Sequence, residues 1–92
     1  MPKIALYKFF SFFFYAYDLA ERRHVHVEAK KGRFRKPAKI WIEGGVEVFD
    51  AGNLTQSELN EVCKVIERNL ESLNHQFDQF ARGKKVRLLN LK

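Results

Sequence analysis

Two hydrophobic periods divide this chain, a period of two up to about residue 50 and a period near 3.6 after it. Lys3 to Lys8 reads as a short first strand. Phe9 to Tyr17 follows as a second, with Phe10, Phe12 and Phe14 on one face and Phe9, Phe13 and Tyr15 on the other. A strand apolar on both sides belongs in the middle of a sheet, with something packed on each face. Asp18 to Arg22 is a loop, and Arg23 to Ala29 a third strand that sets Val25, Val27 and Ala29 opposite His24, His26 and Glu28. Lys30 to Pro37 reads as a loop, because Gly32 frees the backbone and Pro37 cannot donate to a ladder. Ala38 to Glu43 and Val46 to Asp50 are strands joined by Gly44-Gly45, a pair suited to the positive φ of a two-residue hairpin loop. That loop predicts Glu43 opposite Val46, Trp41 opposite Val48 and Lys39 opposite Asp50.

The period then changes. Thr55 and Glu58 have capping-box spacing, and Leu54 and Leu59 flank them as a hydrophobic staple. Leu59, Val62, Cys63, Ile66, Leu70, Leu73, Phe77 and Phe80 recur every three or four residues, the stripe of one amphipathic helix over 55–82. Gly83 is its stop, with Arg82 in the last turn. A straight helix of this span is roughly 40 Å long at ~1.5 Å per residue, so a bend is expected between Asn69 and Asn74. Val86, Leu88 and Leu91 in the tail, residues 84–92, predict an extended segment at a sheet edge. The fold class is therefore α+β: a mainly antiparallel sheet of four to five strands over 3–50, covered on one face by one long C-terminal helix.

Composition narrows the class. Ninety-two residues make one domain, 1–92, and nine Phe, three Tyr and one Trp supply its core. Cys63 is the only cysteine, which excludes an internal disulfide and a Cys-based metal site and suits a reducing compartment. The apolar run near the N-terminus is interrupted by Ser11, lacks a small-residue cleavage site and is shorter than the ~20 residues of a membrane span. A cytoplasmic protein with no membrane partner is expected.

Charge is concentrated. Between Arg22 and Lys39 stand Arg22, Arg23, Lys30, Lys31, Arg33, Arg35, Lys36 and Lys39 against Glu28 alone, a local +7 in a chain of net +6. Such a field suits nucleic acid, with Phe34 or Trp41 to stack on bases, or an acidic partner protein. On the same segment His24, His26 and Glu28 share one strand face. Imidazole and carboxylate there could serve acid–base chemistry on a phosphodiester, with a cation to stabilise developing charge. The same groups are ordinary zinc ligands, but no further convergent donor accompanies them, so neither a metal nor another cofactor is expected. An ordinary polar strand face carries the same three residues.

Met1-Pro2-Lys3-Ile4, Phe13-Phe14-Tyr15, Asp18, His24-Val25-His26-Val27, Ala38-Lys39-Ile40-Trp41 and Glu58 to Asn69 occur in an order that resembles a family of small prokaryotic proteins. The family is known only as a domain of unknown function (family number 4160), and the resemblance covers roughly residues 1–82. Where members commonly carry His-Pro-Pro ahead of HVHV, this chain has Leu19-Ala20-Glu21-Arg22-Arg23. Its insert from Lys30 to Pro37 and its tail after Gly83 are also longer than usual. The resemblance implies a place in gene pairs that look like toxin–antitoxin modules. The expected function is a small binding component of such a pair, acting through the basic surface on nucleic acid or an acidic cognate protein. A metal-independent ribonuclease-like toxin using His24, His26 and Glu28 with Lys39 or Arg35 is the alternative. A structural homo-oligomer without ligand is the third reading.

Overall fold

A computed structural model describes residues 3–15, 19–29 and 36–91. The strands are β1 (Lys3–Tyr7), β2 (Phe10–Phe13), β3 (His24–Ala29), β4 (Ala38–Trp41) and β5 (Glu47–Asp50). Helices α1 (Gln56–Arg68) and α2 (Leu70–Ala81) follow, and β6 (Leu89–Asn90) comes last. The class is α+β, as expected, but the sheet has six strands in the order β5-β4-β3-β2-β1-β6. It is mixed, because β6 adds to β1 in parallel while the other neighbours are antiparallel. Of the expected basic loop, Lys30, Lys31, Arg33, Phe34 and Arg35 lie outside the described residues, as do Asp18 and the end of the expected second strand at Tyr17.

Both helices cover one face of the sheet. Phe12, Val25, Val27, Ile40 and Ile42 are fully buried there against Leu59, Val62, Ile66 and Leu73. Tyr7 confirms the side by donating through its hydroxyl to Glu61 of α1 at 2.8 Å. The single long helix is corrected to two. The largest dimension of the molecule is 33 Å, shorter than a continuous helix over 55–82 would be. The break falls at Asn69, whose side-chain amide donates to Val65 O at 2.8 Å and whose backbone leaves helical geometry at φ −117°, ψ 20°. Asparagine competes with the helix ladder in this way because its amide reaches nearby backbone oxygens. At the other end, Thr55 accepts from Glu58 N–H while Glu58 accepts from Thr55 N–H, so the capping box is complete.

The β4–β5 hairpin keeps one expected pair and shifts the others. Lys39 lies opposite Asp50, but Ile40 meets Val48 and Trp41 meets Glu47, with a one-residue irregularity between them. The loop is five residues long, 42–46, with Gly44 and Gly45 at the positive φ that motivated a turn here. Ile42, at the start of this loop, is fully buried and donates its N–H at 3.0 Å to the carbonyl of Arg23, the residue before β3. The irregularity turns Phe49 onto Trp41.

Candidate functional site

The face opposite the helices carries a layer of rings. Cross-strand register sets Phe13, His26, Lys39 and Asp50 in one row, and His24 beside Trp41 in the next. His26 stacks on Phe13 with ring centroids 5.6 Å apart, and meets Tyr15 and His24 edge-on at 4.5 and 5.0 Å. His24 meets Trp41 edge-on at 5.3 Å, and Trp41 meets Phe49 at 5.2 Å. The result is one continuous ring cluster from β2 to the sheet edge at β5.

His24 and His26 come together as the alternation predicts, but not as a solvent-facing polar surface. His24 is 0% exposed and His26 8%. His24 Nδ1 lies 2.7 Å from Arg22 O, and since a carbonyl only accepts, Nδ1 carries the proton there. Glu28 is half-buried opposite Ser11 and shares no hydrogen bond with either imidazole. Among the described residues no group of three or more His, Cys, Asp or Glu could hold a metal. Of the missed partners, Phe13 and Tyr15 had a signal in the sequence, the strand parity that leads away from the helices. Phe49 had none, because only the β4–β5 irregularity brings it onto Trp41.

The described cations of the basic segment each have an anionic partner. Lys39, its side chain 17% exposed, donates to Glu21 at 2.8 Å and lies 4.9 Å from the ring centroids of both Trp41 and Phe49. The Arg22 guanidinium stands 5.4 Å over Trp41, donates to Glu43 O at 2.9 Å and pairs with Glu47. Lys36 pairs with Asp50 at 3.1 Å. Arg23 points to the helix side, where it donates to Asn74, pairs with Asp78 and covers Phe77. It joins α2 to the sheet.

Asp50 is held below the usual carboxylate range by the Gly52 N–H it accepts at 2.9 Å and then by Lys36. That loop also grips the start of β4: Asn53 N–H donates to Lys36 O at 2.9 Å, and Asn53 Oδ1 accepts from Lys36 N–H. The arrangement fixes where the basic segment enters the sheet. Burial raises the Cys63 thiol, with Glu67 adding to the effect, so the one cysteine stays protonated within the helix packing.

The family model described as Domain of unknown function (DUF4160) matches residues 10–78, which is 69 of the 92 residues. Comparison with the curated proteins and with the solved structures found no match. Among the described residues, no helix is long and apolar enough to cross a membrane.

Proposed function

We propose that this chain, which belongs to the DUF4160 family, is a small binding protein that takes single-stranded nucleic acid against its Trp41–Phe49 face. The observation that carries this reading is the edge-on pair of Trp41 and Phe49 with Lys39 and Arg22 about 5 Å from the indole. Bases stack on exposed rings without sequence preference, and flanking cations answer the phosphates. Phe49 is 61% exposed and open to a base. The resemblance to families encoded in toxin–antitoxin-like pairs supports a role as one component of such a pair.

Burial disfavours the ribonuclease reading. A general acid or base must approach its proton to hydrogen-bond distance, and the rings of His24 and His26 are enclosed by Phe13, Tyr15 and Trp41. A second binding mode is favoured by one observation: β5 is an edge strand with Val48 39% and Phe49 61% exposed, suited to an acidic partner that adds a strand.

Trp41 is the only tryptophan, so its emission reports this face directly. Titration with a dodecauridylate should quench it, and Phe49→Ala should weaken binding about tenfold, a stacking loss of ~1–3 kcal/mol. Unchanged Trp41 emission together with unchanged affinity in Phe49→Ala would sink the reading.

A further inference from the structure

Among the described residues, a cluster of cations without anionic partners stands at the other end of the chain. Arg82, Lys84, Lys85 and Arg87 are exposed, lie within six residues with no acid between them, and form no ion pair with a described residue. They also lie beyond residue 78, where the family match ends.

Their placement is built. Gly83, at φ +72°, closes α2: its N–H donates to Phe80 O at 3.0 Å and Lys84 N–H to Gln79 O at 2.9 Å. This paired closure turns the chain back on the helix it has left. Gln76, 4% exposed, then donates to Ile4 O at 3.3 Å and to Arg87 O, tying α2, β1 and the tail together. Leu91 N–H donates to Leu6 O at 2.8 Å, where β6 joins the sheet. Between α2 and this returning segment runs a groove of about 730 Å³, with Ser72, His75 and Gln79 on the helix wall and Lys85 and Arg87 opposite. Of its acids, Asp78 is paired with Arg23, leaving Glu71.

The lining decides the ligand class. Leu89 is the only apolar residue among the ten that line the groove, whereas small-molecule pockets are mostly apolar. A polar, cation-bearing track recessed between a helix and an extended segment suits one phosphodiester strand. We propose that this groove binds the sugar–phosphate backbone of single-stranded nucleic acid. Lys85 and Arg87 meet phosphates, and Ser72, His75 and Gln79 hydrogen-bond along the strand. The site is independent of the Trp41–Phe49 face, which lies on the other side of the sheet from α2.

The test is fluorescence anisotropy of a fluorescein-labelled dodecauridylate between about 50 and 200 mM salt. Lys85→Glu with Arg87→Glu should weaken binding at least about tenfold, and the slope of log affinity against log salt should fall by about 1.4, two single-strand phosphate contacts at ~0.7 each. The thermal midpoint should not move, since both side chains are exposed. Lys85→Gln with Arg87→Gln should lower the slope in the same way and keeps the test readable if reversal unsettles the tail. Phe49→Ala should leave the slope alone. A slope and affinity unaltered in both double variants, or no binding by the unmodified protein, overturns the proposal. A silent Phe49→Ala beside an effective double reversal removes only the sheet-face reading.

Discussion

At the scale of the residue, Gly52 shows how backbone and charge act together. It sits at φ +57°, and a Cβ built there would collide with Lys36 O and come within 2.6 Å of the Pro37 carbonyl. Neither neighbour is the loose end of a side chain, so the backbone itself would have to move. The same residue supplies the N–H that Asp50 accepts, and Asp50 in turn pairs with Lys36. Gly52→Ala should therefore cost more than the ~1 kcal/mol of a left-handed position alone, about 2–3 kcal/mol with the clash. The urea midpoint reads this, and a Gly52→Ala variant as stable as the parent would show that the loop does not clamp β4. Gly52 was not legible as special from sequence. Lys36 lies far back along the chain, and only the fold brings the two backbones together.

At the scale of the element, legibility followed range. The start of α1 was readable because Thr55, Glu58, Leu54 and Leu59 interact within a single turn, and the closed capping box bears that out. The end at Gly83 was readable for the same reason. The break at Asn69 was foreseeable only as a length conflict, since nothing local says whether an asparagine caps or is tolerated. The alternation of β3 placed His24 and His26 together correctly, but their burial depends on Phe13, Tyr15 and Trp41, which arrive from β2 and β4. Arg23 was grouped with the basic surface by sequence adjacency, yet strand parity sends it to α2. This last placement has a consequence for α2. Arg23→Ala removes the contacts to Asn74, Asp78 and the Phe77 ring, and the partial exposure of the ion pair holds the cost to about 1 kcal/mol. Amide exchange should quicken across α2 while α1, capped independently, keeps its protection. Equal quickening in both helices would mean that they open as one unit and that Arg23 is not a tie specific to α2.

At the scale of the whole molecule, the net +6 describes a balance that differs from region to region. Around the sheet, four of the described cations are matched: Lys8 with Glu61, Arg22 with Glu47, Lys36 with Asp50, Lys39 with Glu21. These pairs tie strands to loops and to α1, so protons act on the fold through them. Hydrogen bonds from Lys8 and then Tyr7 hold Glu61 below the usual carboxylate range, and Asp50 is held down by Gly52 and Lys36. A carboxylate with a depressed folded pKa stabilises above its unfolded value, and that stabilisation fades as pH falls through the folded one. Lys8 is raised by Glu61, so its share is complete below the unfolded lysine value and fades as pH rises through the folded one. Glu61 therefore contributes to both limbs of the stability profile. Urea midpoints measured from about pH 3 to about pH 11 should show the acid limb flattened in Asp50→Asn, and both limbs flattened in Glu61→Gln. Raising the salt concentration should shrink all of these differences, because the groups stand in solvent. An alkaline limb unchanged in Glu61→Gln would mean that Lys8, at its left-handed φ of 53° in the β1–β2 turn, is held there without its carboxylate.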